Sequence, residues 1–200
     1  MTAKLLFLAG SCRKGSLNMK LAQAAQKIAN DLGSETTFID LADFDMPIYN
    51  GDLEEKDGVP ENAKKLKQIF IDHGGFFIAS PEYNSGYSPL LKNTIDWMTR
   101  PMDDGYEGLA AFKGKVGAIS AASPGGFGGM RGLVQLRMLL GNINVHLIPS
   151  QVAISSAHEA FNDDGSLKND QQEKMLQGVV SQLIETATAL KTETKKQKAA

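Results

Sequence analysis

A three-layer α/β sandwich built on a parallel sheet is the fold this sequence predicts, and three observations predict it. Short unbroken apolar runs such as KLLFLA (4–9) and FFIAS (76–80) are too short for helices and read as strands buried on both faces. Between such runs stand segments with apolar residues at helical spacing, so strand and helix alternate along the chain. The loops after the first, third and fourth strands are rich in Gly, Ser, Asn or Pro, whereas the loops expected at the opposite edge are less distinctive.

The elements follow in order. After the first strand, NMKLAQAAQKIANDLG (18–33) carries Leu21, Ala24, Ala25, Ile28 and Leu32 on one stripe, closed by Gly33 as a C-cap. ETTFIDL (35–41) predicts the second strand, ENAKKLKQIFIDHGG (61–75) a helix ending at the Gly74–Gly75 pair, and 76–80 the third strand. SPLLKNTIDWM (88–98) opens with Ser88 as N-cap and Pro89 at the first helical position, a strong start signal. KVGAIS (115–120) predicts the fourth strand, MRGLVQLRMLLG (130–141) a helix, NVHLIP (144–149) the fifth strand, and 169–191 a last long helix. The segment RPMDDGYEGLAAFKGK (100–115) exceeds the usual connection of about 2 to 6 residues and is expected to shape the entrance to a site. One domain is expected over 1–190, followed by a frayed or disordered tail, KTETKKQKAA (191–200), with four Lys, one Glu and no apolar stripe.

Composition narrows the function classes. Two hundred residues with 42% hydrophobic and 22% charged content suit a single soluble domain with a sizeable core. The net charge of -2 and the scattered basic residues argue against a nucleic-acid partner and against a strongly acidic carrier surface. A lone Cys12 excludes an intramolecular disulfide and any multi-cysteine metal site, and it agrees with a cytoplasmic location. The amino-terminal apolar core, Leu5 to Ala9, falls short of the roughly 7 to 15 residues of a secretory core and the about 20 of a membrane span. His73, His146 and His158 fall on different elements without ligand spacing, so no metal site is expected. Met98, Met102, Met130 and Met138 read as core filler.

In an open parallel sheet, ligands bind beyond the carboxyl ends of the strands. GSCRKGSLN (10–18) sets Ser11, Arg13, Ser16 and Asn18 before or at a helix start, where free N–H groups, hydroxyls, an amide and a guanidinium together suit a phosphate monoester. Taken alone, the stretch also fits a plain cap at Ser16 with Arg13 and Lys14 in solvent. The glycines at 10 and 15 make neither G-x-G-x-x-G nor G-x-x-x-x-G-K-[ST]. In the register of a low-molecular-weight tyrosine phosphatase, the Arg required after Cys12 is replaced by Asn18, so Cys12 reads as a small spectator. The second loop holds Pro81, Glu82, Tyr83 and Asn84 directly after a strand, and a Pro-stiffened backbone with an aromatic wall suits a planar heterocycle. A simple surface turn is its alternative. In the third loop, Gly125, Gly126, Gly128 and Gly129 permit close backbone approach to a ligand, or else mere flexibility.

GSCRKGSLN, PEYNSGYSPLLKNTIDW and GGFGGMRG together resemble the NADPH-dependent FMN reductase family, which includes flavin, quinone, azo-dye and chromate reductases of flavodoxin-like fold. The resemblance covers about residues 3 to 185. It implies a five-stranded parallel sheet in order 2-1-3-4-5 with FMN at the carboxyl edge of strands one, three and four. By the same resemblance Ser11, Arg13, Ser16 and Asn18 hold the FMN phosphate, while Pro81, Glu82, Tyr83 and Asn84 line the isoalloxazine edge. Ala122, Ser123, Gly125 and Gly126 approach the ring from the other side. The implied reaction passes hydride from NADPH or NADH to bound FMN and on to a second small-molecule acceptor such as free flavin, quinone, azo compound or chromate, with no side-chain acid or base. A homodimer or homotetramer is implied as well, using helices 90–100 and 130–140 with Trp97, Met98, Leu133 and Leu136, and with Asp96 and Trp97 able to reach a neighbouring subunit's cofactor. Competing readings are a flavodoxin-type electron carrier, which would be strongly acidic with a Thr/Ser-Gly-Thr phosphate loop, and a flavin-linked redox sensor.

Overall fold

The computed structural model describes residues 2–102 and 106–198, with side chains as far as Lys191. Strands β1 (Leu5–Ala9), β2 (Thr36–Ile39), β3 (Gly75–Ala79), β4 (Val116–Ala122) and β5 (His146–Leu147) lie in the order β2-β1-β3-β4-β5. Every pairing is parallel. β1, β3 and β4 are buried along their whole length, which is why they read as unbroken apolar runs.

Among the described residues six α-helices complete the layers: α1 (Leu17–Asp31), α2 (Gly51–Asp57), α3 (Glu61–Ile71), α4 (Pro89–Met98), α5 (Met130–Asn142) and α6 (Asp170–Lys198). The period of two along β1 divides the core. Phe7 and Ala9 face a cluster with Leu21, Ala25, Leu176 and Leu183 of α1 and α6. Leu6 and Leu8 face the other cluster, with Leu66, Phe70, Leu91, Ile95, Leu133 and Leu136 of α3, α4 and α5. This is the three-layer α/β sandwich that the alternation of strands and helices predicts, in the strand order that the family resemblance implies.

Several details differ from the sequence expectation. The fifth position of the sheet is filled by two short segments, because β5 pairs with Val116 and Gly117 while a sixth strand, β6 (Val152–Ile154), pairs with Ser120 to Ala122. Between them Pro149 has no N–H to donate, and the guanidinium of Arg137 pins the bend by donating to the Ile148 carbonyl at 2.9 Å and to Gln151 Oε1 at 2.8 Å. Helix α2 was not expected, since it buries no residue and so has no apolar stripe to show. It is tied down at Glu54, which accepts from Tyr49 Oη at 3.0 Å and from Arg100 Nε at 2.8 Å.

The residues expected at a subunit contact lie in the core instead. Trp97, Met98, Leu133 and Leu136 are all buried, and Trp97 Nε1 donates to the Pro47 carbonyl at 2.7 Å. Of the four methionines expected as core filler, Met98 and Met102 are buried, whereas Met130 and Met138 are exposed. The described end of the 100–115 segment does not border the cavity described below. Its Phe112 packs on Phe70 and Phe76, and the Lys115 amine caps the Ile71 and His73 carbonyls at the amino edge of the sheet. Residues 103–105 lie outside the described residues, as do the side chains of 192–198 and all of 199–200, whereas the backbone of the expected tail continues α6 as far as Lys198.

Candidate functional site

The first loop leaves β1 through a narrow gap. A Cβ on Gly10 would stand 3.3 Å from both Leu91 Cβ and Pro81 Cδ, so the absence of a side chain lets the chain pass. Ser88 holds this turn to α4, donating from Oγ to the Gly10 carbonyl at 2.6 Å while accepting the Leu91 N–H at 3.2 Å as the helix cap. Ser11 Oγ accepts the Arg13 N–H at 3.3 Å, and Ser16 Oγ caps α1 by accepting the Met19 N–H at 3.3 Å. The Leu17 and Asn18 N–H groups belong to the first turn, where no intrahelical acceptor exists. That turn contains no acidic residue, so the positive end of α1 is left without a carboxylate of its own.

Loops two and three build the rest. Glu82 accepts from Arg131 Nε at 2.9 Å and Nη2 at 2.7 Å, and its other oxygen accepts the Gly132 N–H at 3.1 Å. Burial alone would raise its carboxyl pKa, but the Gly132 N–H and the Arg131 guanidinium outweigh that and hold it below the ordinary range. Glu82 thereby caps α5 and fastens loop two to it. Tyr83 and Gly86 exchange both backbone bonds, at 2.9 and 3.0 Å, around a turn in which Asn84 and Ser85 have φ of 51° and 67°. This is a two-residue hairpin turn of the kind that tolerates Asn in the left-handed region. In loop three, Ser123 donates its N–H to the Ile154 carbonyl at 3.0 Å.

Nine of the expected site residues line one shallow cavity of about 160 Å³ at the carboxyl edge. Ser11, Arg13, Ser16 and Asn18 come from loop one, Pro81, Glu82 and Tyr83 from loop two, and Ala122 and Ser123 from β4 and loop three. Leu17 and Pro124 line it too and were not anticipated. Neither carries a polar group that could have marked it in sequence. Asn84 sits at the exposed hairpin tip, and Gly125 and Gly126 are exposed beyond Pro124, outside this lining. Gly128 and Gly129 serve packing, for a Cβ on Gly129 would lie 2.7 Å from that of Ala121. Two larger depressions, of about 340 and 570 Å³, flank the exposed Lys27–Asp164 pair beside α1. They lie away from the convergence of the three loops.

Two side chains of loop one stand apart from Ser11, Arg13 and Ser16. The Asn18 amide is already engaged, donating to the Ala122 carbonyl at 2.9 Å and accepting the Ala122 N–H at 2.9 Å. Cys12 lies outside the cavity, and partial burial together with the charges of Asp40 and Asp43 pushes its thiol pKa up, away from the range of a nucleophilic thiolate. Among the described residues no group of three or more His, Cys, Asp or Glu is placed to hold a metal ion.

A parallel sheet in this order, with three loops meeting at its carboxyl edge around a helix start furnished with hydroxyls and one guanidinium, defines a flavodoxin-like protein. The chain belongs to the NADPH-dependent FMN reductase family, whose model matches residues 3–159. It is 36% identical over 176 residues to an NAD(P)H-dependent FMN reductase of Pseudomonas aeruginosa, covering 87% of this chain and 89% of the relative. An NAD(P)H:quinone oxidoreductase of Solanum tuberosum is 32% identical over 193 residues, or 94% of each chain. Among solved structures, the flavoenzyme NAD(P)H:(acceptor) oxidoreductase FerB of Paracoccus denitrificans superposes with a TM-score of 0.79 at 32% identity, over 92% of this chain and 97% of that one.

Proposed function

We propose that the cavity binds FMN by its phosphate and that the protein is an NAD(P)H-dependent reductase of a small acceptor such as a quinone. The observation that carries this reading is the start of α1, where Ser11, Ser16, Arg13 and uncapped N–H groups meet without a carboxylate in the first turn. This donor set fits a dianionic monoester, and one guanidinium with one helix end matches a single phosphate better than a pyrophosphate. The names of the relatives from Pseudomonas aeruginosa and Solanum tuberosum support the same chemistry.

Bound in this cavity, FMN would supply two-electron redox chemistry between the nicotinamide and the second substrate. The protein's part is placement. Pro81 to Tyr83 form one wall and Ala122 to Pro124 the other, and the lock of Glu82 onto α5 keeps the first wall in place. No side-chain acid or base is called for, and the cytoplasm, where reduced nicotinamide is at hand, is the setting we assign.

The same reading takes the protein as a homo-oligomer. With Trp97 and Leu133 in the core, the outer face of α5 presents Met130, Val134 and Met138 at helical spacing, 47%, 65% and 64% exposed, beside Phe127 at 62%. A second copy of the chain is the partner we infer for this stripe, because it adjoins the site through Phe127 and Arg131, whose guanidinium stacks on Phe127 and holds Glu82.

Titration of the purified protein with FMN, FAD and riboflavin tests the cofactor, and steady-state rates with NADPH or NADH and a quinone test the reaction. FMN is expected to bind tightest, with parallel double-reciprocal lines. Equal or tighter FAD binding sinks the single-phosphate reading, and flavin binding without turnover turns the protein into a carrier or sensor.

A further inference from the structure

The end of β4 carries an arrangement that the binding of a phosphate does not require. β3 and β4 remain in register through Ala79 and Ser120, and the last bond between them runs from the Ser80 N–H to the Ser120 carbonyl at 2.8 Å. β3 then turns away at Pro81. β4 runs on for two further residues, paired on its other side with β6 through Ala122 and Ile154. Because strand residues alternate the side to which their backbone groups point, Ala122 aims its N–H and C=O the same way as Ser120, toward the place β3 has vacated.

Asn18 fills that place. Its amide donates to the Ala122 carbonyl and accepts the Ala122 N–H, both at 2.9 Å and across 104 residues of sequence. One side chain thus supplies the pair of bonds that two residues of a longer β3 would have made in a parallel ladder. The Asn18 residue is 4% exposed, and Ala122 likewise. Asn18 stands in the first turn of α1, two residues after the cap Ser16, so the helix end that faces the anion and the strand end that leads into Ser123 are joined by two buried bonds.

We propose that Asn18 is a positioning residue that couples the phosphate end of the site to the wall formed by Ala122 and Ser123, and that it is not a phosphate ligand. The coupling rests on the reading that the cavity takes FMN; the clamp itself does not. A side chain with both polar atoms committed to the backbone has little left to offer a ligand, whereas a displaced α1 start would carry Ala122 with it.

The test compares wild type with Asn18→Leu, which keeps the size and removes both bonds without adding charge, and Asn18→Ser, a smaller change that leaves room for a bridging water. Dissociation constants are measured for FMN and for riboflavin, and amide hydrogen exchange is followed in the flavin-free protein. The clamp predicts that Asn18→Leu weakens both flavins by the same factor, about tenfold. It predicts exchange at Ala122 faster by about the same factor, with α3 unchanged, and an intermediate result for Asn18→Ser. A loss for FMN with riboflavin unaffected would assign Asn18 to the phosphate and overturn the proposal. Unchanged binding of both flavins would overturn it too, and so would a general loss of protection, which marks a purely structural residue. Should Asn18→Leu not fold, Asn18→Ser is read by the same criteria. If wild type bound neither flavin, the FMN reading and the coupling built on it would fall together, and the exchange at Ala122 would still decide the clamp.

Discussion

Arg13 is the one full positive charge among the described residues that line the cavity, and its exposed guanidinium is tethered only by a 3.4 Å contact to the Gly15 carbonyl. A group so free loses little when it turns to a ligand. Replacing Arg13 by Ala removes a charge-assisted bond but leaves Ser11, Ser16 and the start of α1 in place. FMN affinity is expected to fall by about 1.5 to 3 kcal/mol, roughly ten- to a hundredfold, while riboflavin affinity stays unchanged. At saturating FMN the turnover number is expected to persist, since the phosphate end is not where hydride is exchanged. Equal losses for both flavins would give Arg13 a role in loop structure only. His73 makes a different residue-scale case. Burial lowers its pKa from 6.5, though the bond to the Ile69 carbonyl opposes this, and Nε2 faces the Thr37 hydroxyl at 2.8 Å. A histidine depressed in the folded state favours folding fully above its unfolded pKa and withdraws that support as pH falls. Stability measured by denaturant is therefore expected to drop below about pH 6.5, and His73→Gln should flatten that part of the profile. An identical slope in the variant would remove His73 from the account.

At the scale of elements, the start of α5 is the joint on which the site's second wall depends. Gly129 has φ of 90° and no room for a Cβ, which would lie 2.7 Å from Ala121. Gly129→Ala combines left-handed strain with overpacking and is expected to cost about 2 to 4 kcal/mol of folding stability, and to loosen the hold of Glu82 on loop two. Gly125→Ala, whose Cβ would meet only Ser123 Oγ at 3.7 Å, is expected to stay within about 0.5 kcal/mol. Urea unfolding of the two variants separates them, and similar costs would contradict the packing role. The difference was not legible in GGFGG, where all four glycines look alike. What distinguishes them is the neighbour that each meets.

For the whole molecule, the exposed stripe of α5 is the surface on which the proposed second copy would sit. Burying Val134 against a second copy should make a charge there intolerable, so Val134→Glu is expected to shift the protein toward monomer in analytical ultracentrifugation while leaving its helical signal intact. Wild type that sediments as a monomer at assay concentration would reject the inferred contact. The sequence marked 130–141 as a helix, but placing Leu133 and Leu136 at a subunit contact and Met130 and Met138 in the core reversed which of them face the sheet. Leu133 and Leu136 do, and Met130 and Met138 do not.

What the sequence determined by itself was whatever rests on local chemistry. Unbroken apolar runs mark strands covered on both faces, Ser88-Pro89 starts a helix, and a Ser-, Arg- and Gly-rich crossover from strand to helix marks the end of the sheet where the cavity lies. These features act within a few residues of where they are written. Only the tertiary structure decided that the edge strand breaks in two around Arg137, that polar α2 is held by Tyr49 and Arg100, and that Asn18 reaches the end of β4. For α2 and Asn18 a deciding partner lies far along the chain, Arg100 being 46 residues from Glu54 and Ala122 104 from Asn18, and for the edge strand it comes from a different element. A side-chain amide looks the same in sequence whether a ligand or a strand end completes its hydrogen bonds, and only the folded chain, by bringing Ala122 to Asn18, made the choice.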